Sequence, residues 1–399
     1  MTVDVLIPVY KPDRRFARLL QMLKKQTVVP DRIIIMNTEK AYWNAEGYRD
    51  IPGMEVHHLT KEEFDHGGTR NLAAWYSESD IMIFMTDDAV PQDEHLIENL
   101  LKGLDQKGPE GETVAVAYAK QLPAKDCHTI ERYTRSFNYP DTSMIKTKKN
   151  LETMGIKTYF ASNVCCAYRK DIFRKLEGFV NSTIFNEDMI YAATAMEAGY
   201  AVAYVPDAKV IHSHNLTPMQ QFHNFDLAVS QAEHPEIFAD LKSEGEGIRL
   251  VKQTAKCLLT HLRGYLIPEL VVSSGCKYLG YKLGRQYEKL PRKMILWCSM
   301  SPLYWDDHNL TNRADPGVPW HFCHDHAQDP PVPDADRERH LLDCAGSGTG
   351  GIQCISEGGR CLRRPSWNLC DNQLFVSVRN LCADPEGVLY EHPHFPAGK

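Results

Sequence analysis

Two carboxylates stand side by side at Asp87 and Asp88, where the apolar run of "IMIFMTDDAVP" gives out ahead of Pro91. Adjacent negative charges repel each other and cost free energy to desolvate. A turn accounts for them, since aspartate and proline both favour turns; a bound cation is the alternative. His212 and His214 of "VIHSH" alternate at the end of a strand-like run and so share a face. A single histidine there would read as structural. Two of them, with Asp88 at another strand end, would suit an oxygen-plus-nitrogen metal site. Glu187 and Asp188 of "FNEDM" open a helical pattern, where helix capping explains carboxylates on its own. In "DHGGTRN", Gly67 and Gly68 ahead of a helix let backbone N–H groups approach an anion, and Arg70 adds a fork suited to phosphate. A tight turn with a solvated arginine explains the same residues. "IPVY" carries Pro8 and Tyr10 into a loop, and "MNTE" puts Asn37 and Glu39 where a base or sugar would lie.

These residues need a scaffold that gathers strand ends. "VDVLIPVY", "DRIIIMNTE" and "IMIFMT" are continuous apolar strands, "MEVHHLT" is a shorter one, and "PDRRFARLLQMLKKQ" and "GGTRNLAAWYSES" carry helical spacing. Strands alternating with helices predict an α/β fold: a mostly parallel twisted sheet with helices on both faces. Such sheets bind ligands at the carboxyl ends of their strands, where Asp87 and Asp88 lie. "ETVAVAYAKQLP" predicts a further strand, "YFASNVCCAYRKDIFRKLEGF" a strand and a helix, and "AVAYVPDAKVIHSH" two short strands. From about Phe222 to Trp305 the pattern turns helical. Between Arg249 and Met300 there are ten Lys or Arg against two Glu, a balance that fits either an anionic membrane surface or a solvated basic face.

Composition bounds the rest. The 399 residues, 43% hydrophobic and 24% charged, suit a soluble globular protein with a sizeable core. A net charge of −7 argues against a general nucleic-acid binder. "MTVDVLIPVY" opens as a strand rather than a signal peptide, and no apolar run approaches the roughly 18 to 20 residues of a membrane span, so a cytoplasmic location is expected. Six of the twelve cysteines are scattered before residue 300 and read as free, buried thiols. The other six crowd residues 306–399, a Cys-, His-, Pro- and Gly-rich stretch without periodicity that reads as a disordered or adventitious tail. Its "HFCHDH" matches no zinc spacing.

Taken in order, "IPVY", "DHGGTRNLA", "FMTDDA", "KQLP", "ASNVCCAYR", "FNEDMIYAA" and "VIHSHN" resemble family 2 inverting glycosyltransferases of the GT-A fold. More narrowly, they resemble bacterial rhamnosyltransferases of cell-surface polysaccharides. The resemblance spans about residues 3 to 305 and excludes the tail. It implies a nucleotide-sugar-binding and catalytic domain over 1–221, a helical basic region over 222–305 on the acceptor or membrane side, and the tail over 306–399.

It further implies that Asp88 holds a divalent cation, Mn²⁺ or Mg²⁺, with His212 as imidazole ligand and His214 as the fallback. Asp87 would be a second ligand or contact ribose. Pro8, Tyr10, Asn37, Glu39, Gly68 and Arg70 would hold the donor. Asp188 would be the general base, oriented by Glu187. Lys120 stands where the family's arginine is usual and removes its bidentate fork. The expected reaction is inverting transfer of a sugar, rhamnose from dTDP-rhamnose first, to a polysaccharide or lipid-linked glycan, with the enzyme peripheral at the inner face of the cell membrane. The alternatives are another hexose from a UDP donor, or a non-catalytic scaffold of a polysaccharide-assembly complex. A nucleotidyltransferase is disfavoured because "IPVYKPDRR" lacks a glycine-rich loop.

Overall fold

Continuous apolar runs build the sheet. A computed structural model describes residues 1–239, 241 and 244–306; apart from Asp306, the expected tail with its six cysteines lies outside the described residues. β1 (Val3–Tyr10), β2 (Arg32–Thr38) and β4 (Ile81–Met85) are buried almost throughout, as strands covered on both faces must be. β3 (Met54–Leu59) is half-buried, and β5 (Val90–Pro91) follows the Asp87–Asp88 turn. β6 (Val114–Leu122), β7 (Met144–Lys146), β8 (Cys165–Arg169) and β9 (Ala201–Ile211) complete nine strands. Their order is β3–β2–β1–β4–β8–β6–β9–β5, with β7 also paired to β9.

β1 to β4, β6 and β9 point one way, and β8 is inserted antiparallel between β4 and β6. The two short strands expected over 201–214 are one strand, whose pairing with β6 slips between Ala119 and Lys120. The alternation of β1 sorts its side chains. Val3, Val5, Ile7 and Val9 pack with Phe16, Leu19, Leu20 and Leu23 of the helix Arg14–Leu23. Leu6 joins Phe84, Ala73 of the helix His66–Tyr76 and Ala192 of the helix Glu187–Glu197. Helices therefore cover both faces, as expected.

β1 sits between β2 and β4. The helix Arg14–Leu23 leads on to β2, and the helix His66–Tyr76 returns to β4 across the other face. Such a switch opens a crevice outside the carboxyl ends of the strands. Tyr10, Asn37, Asp88, Gln121 and His212 all lie at or just past those ends.

Beyond β9 the chain is helical, with Asn224–Glu233, Glu244–Thr260, Ile267–Gly284 and Arg292–Cys298 as its main helices. Phe222, Phe225, Val229, Cys298 and Trp305 form a separate core there, joined by Ile184 from the loop before the helix Glu187–Glu197. Gly280 is needed for that packing, because a Cβ on it would lie 1.8 Å from the Phe222 carbonyl oxygen. Among the described residues no helix is long and apolar enough to cross a membrane. Cys127, Cys165, Cys166, Cys257, Cys276 and Cys298 are all free, and four of them are buried.

Candidate active site

The Asp87–Asp88 segment is a turn, closed by the Ala89 N–H donating to the Thr86 carbonyl at 3.1 Å. It also points a carboxylate at two imidazoles. Asp88 and Asp87 are each 4% exposed. Asp88 Oδ1 accepts from the Thr86 hydroxyl at 3.0 Å and lies 3.4 Å from His212 Nε2, while its Oδ2 lies 3.6 Å from His214 Nε2. The two Nε2 atoms are 2.9 Å apart. One atom from each of Asp88, His212 and His214 falls within 4.8 Å of the others. Burial, His214, Arg135 and Arg15 push His212 well below the usual imidazole range. Burial, Arg135 and Arg15 bring His214 to about 4. Both rings are therefore neutral at pH 7 and carry lone pairs, as metal ligands must. Arg15, at the start of the first helix and half-exposed, reaches to 3.8 Å from Asp88 Oδ2.

A second group forms at the start of the helix Glu187–Glu197, behind Asn186 in a left-handed conformation (φ 77°). Arg70 Nη1 donates to the His66 carbonyl at 2.8 Å and pairs with Glu187 Oε1 at 3.2 Å, with both side chains buried. Burial raises the Glu187 carboxyl, but the charges of Arg70 and His66 and the Asn163 amide bring it below its usual value. Asp188 behaves oppositely. Its carboxylate accepts from the Asn163 and Met189 N–H groups at 2.9 and 2.7 Å, and part of its surface stays open. Burial first and the Glu187 charge second raise it to about 7. Adjacent carboxylates thus divide into a paired anion and a half-open base poised at neutral pH.

The segment Ser162–Val164, just before β8, ties these groups together. The Asn163 side chain donates to Glu187 Oε1 at 3.0 Å and accepts from the Tyr168 hydroxyl at 2.7 Å. The Val164 carbonyl accepts from Thr86 N–H at 3.2 Å, and the Ser162 hydroxyl accepts from Gln121 Nε2 at 3.0 Å. Asn163, Gln121, Arg135 and Arg15 were not singled out in the sequence. "ASN" and "KQLP" are visible there as polar residues at strand ends, but nothing local marks Arg135.

The other expected residues fall into a third group. Tyr10 stands opposite Thr38 in register and packs edge-on to Tyr42 with centroids 5.6 Å apart, and the Lys11 ammonium lies over both rings. Asn37 is buried; its amide donates to the Glu39 carbonyl at 3.2 Å and meets His58 Nδ1 at 3.0 Å, while its Oδ1 makes no hydrogen bond among the described residues. Glu39 (φ 67°) accepts from Lys61 N–H at 2.9 Å, and Pro8 sits in β1 opposite Met36. Gly67 and Gly68 do not precede the helix but form its first turn behind the Asp65 cap, whose Oδ1 takes the Gly68 N–H at 2.5 Å. Lys120 pairs with Asp141.

The glycosyl transferase family 2 model matches residues 4–177. The chain belongs to that family and is a glycosyltransferase. It is 36% identical over 318 residues to the O-antigen chain rhamnosyltransferase RfbN of Salmonella typhimurium, covering 79% of this chain and 99% of that protein. The O-antigen chain rhamnosyltransferase WbaN of Salmonella anatum is also 36% identical, over 78% of this chain and 98% of its own length. Among solved structures, S. aureus TarS 1–349 in complex with UDP-GlcNAc has a TM-score of 0.42 at 15% identity, over 72% of this chain and 92% of that one.

Proposed function

We propose that this glycosyltransferase moves rhamnose from dTDP-rhamnose, with inversion, to a growing cell-surface polysaccharide of the O-antigen kind. The observation that carries the catalytic reading is Asp188, a half-open carboxylate raised to about 7 beside a Glu187 already committed to Arg70. In the reaction, Asp188 takes the proton of an acceptor hydroxyl as that oxygen attacks the anomeric carbon from the face opposite the diphosphate. The bond from that carbon to the diphosphate oxygen breaks and the diphosphate leaves. Such a base contributes about 10²- to 10⁴-fold. The choice of rhamnose rests on two relatives of that activity matched over nearly their whole length.

The donor set of Asp88, His212 and His214 suits Mn²⁺, with Mg²⁺ the harder-ligand alternative. A cation held there would neutralise charge developing on the departing diphosphate. Arg15 adds a permanent positive charge on the same side, and Tyr10, Asn37 and Glu39 would line the base and ribose.

The basic helical region supports peripheral docking on anionic lipid, which would bring a lipid-linked acceptor to the site. Its Leu262, Tyr265, Val271, Val272, Tyr278 and Leu279 are exposed, amid ten Lys or Arg against two Glu. Binding to anionic liposomes should weaken with salt, and binding indifferent to salt refutes the electrostatic part.

The deciding assay incubates the full chain with Mn²⁺, a glycan acceptor and either dTDP-rhamnose or UDP-hexoses. Nucleotide release is followed, and the product's anomeric configuration is read by NMR. Turnover with dTDP-rhamnose to an inverted product is expected. Turnover with a UDP-hexose alone discards rhamnose, and a retained configuration discards the role of Asp188.

A further inference from the structure

His212 and His214 are two residues apart and equally close to Asp88, yet their outer nitrogens are held differently. His212 Nδ1 lies 3.0 Å from Gln121 Oε1. Arg135 Nη1 donates to the same Oε1 and lies 3.4 Å from His212 Nδ1, beyond a good hydrogen bond. A guanidinium can only donate, so the Gln121 atom facing it is the carbonyl oxygen. That oxygen can only accept, so His212 Nδ1 must carry the proton. The Gln121 amide end donates to the Ser162 hydroxyl at 3.0 Å, but a hydroxyl can donate as readily as accept, so it is Arg135 that decides which end of the amide faces His212. Arg135 is anchored from behind by Glu131, whose Oε1 accepts from its Nε at 2.6 Å.

We infer that Gln121, locked by Arg135, is a positioning residue that holds His212 as the Nδ1–H tautomer and so presents its Nε2 lone pair as the fixed imidazole ligand beside Asp88. His214 then serves as the Nε2–H donor across the 2.9 Å gap until a cation arrives. Its Nε2, the atom facing Asp88, can ligate only after its proton moves to Nδ1, so the two histidines are not equivalent. The inference rests on the metal reading above and goes beyond it, because it assigns the ligand's tautomer to a relay running from the helix Thr129–Asn138 through β6 to the end of β9. Partners behind a ligating histidine commonly set metal affinity by 10- to 100-fold.

The test uses the ¹⁵N-histidine-labelled, metal-free full chain. Two-bond ¹H–¹⁵N spectra report each tautomer, and His212→Ala identifies the His212 signals. Mn²⁺ binding is measured separately by EPR. His212 should be Nδ1–H in the wild type and a mixture in Gln121→Leu, with Mn²⁺ affinity about 10- to 100-fold weaker. Gln121→Glu, which keeps an acceptor for both Arg135 and Nδ1, should restore the tautomer and the affinity. Arg135→Met, which leaves position 121 intact but unlocked, should weaken Mn²⁺ binding and serves as the second variant should Gln121→Leu fail to fold. An Nε2–H tautomer in the wild type overturns the inference. So does wild-type Mn²⁺ affinity in Gln121→Leu or Arg135→Met. A wild-type chain that binds no Mn²⁺ overturns the metal reading as well, which separates the two failures.

Discussion

Asp188→Asn should cripple transfer and at the same time stabilise the fold, with a pH dependence whose sign is set by the structure. Burial and the Glu187 charge raise the Asp188 carboxyl from 3.8 to about 7. Between those values the folded chain holds a proton that the unfolded chain has released. Wild-type stability therefore falls as pH rises through the window and levels off above it. The amide cannot ionise, so the variant gains on the wild type from about pH 4 to pH 7. A full shift of this size corresponds to about 4 kcal/mol at 1.36 kcal/mol per unit. Water on the open side of Asp188 screens the charge, and the amide accepts only one of the two N–H bonds that the carboxylate takes. These leave about 1–2 kcal/mol. Urea denaturation at pH 5 and pH 8 reads the difference, and nucleotide release reads the activity. Wild-type turnover should have an acid limb near pH 7, with roughly a tenth of the base ionised at pH 6, and the variant should lose about 10²- to 10⁴-fold. A variant that loses stability relative to wild type as pH rises, or that turns over within tenfold of wild type, refutes the assignment.

Three further substitutions test the frame around the site. Gly67→Ala would gain about 1 kcal/mol of helix propensity on an open surface. Here its Cβ would lie 1.8 Å from the Val180 carbonyl oxygen, so a net loss of about 3 kcal/mol is expected in thermal melts, and a gain would refute the close approach. Arg70→Leu leaves the buried Glu187 carboxylate without its cation and should cost about 3–5 kcal/mol in denaturant titrations. Adding Glu187→Leu should recover much of that, and an equally unstable double variant would count against the pair. Lys146 is buried with its ammonium on the Phe160 and Lys157 carbonyls, and burial lowers it from 10.5 to about 7. The unfolded chain holds that proton over a window where the folded chain has shed it, so wild-type stability should rise from pH 7 to pH 9 relative to Lys146→Met. Parallel pH profiles would place the charge in water.

The limits of the sequence are themselves physical. Single strand ends were legible because a carboxylate or imidazole after a continuous apolar run is visible locally: Asp88 after β4, His212 after β9 and Asn37 within the end of β2. Helices on both faces followed from the same runs, since a strand with no polar side must be covered twice. The insertion of β8 against the direction of its neighbours was not legible, because strand order is decided by pairing between distant segments and leaves no local mark. That insertion decides the site. Because β8 runs backward, its amino end lies where the other strands have their carboxyl ends, and Ser162, Asn163 and Val164 enter the crevice from a loop that would otherwise lie on the far edge. Each then contacts a different group: Ser162 holds Gln121 behind His212, Val164 holds Thr86 beside Asp88, and Asn163 holds both Glu187 and Asp188. The metal-ligand side and the proton-accepting side are thus fixed to three consecutive residues. A side-chain substitution at Asn163 should release Glu187 while leaving both Gln121 and the backbone bond to Asp188 in place, whereas one at Ser162 should release Gln121 and leave Glu187 held.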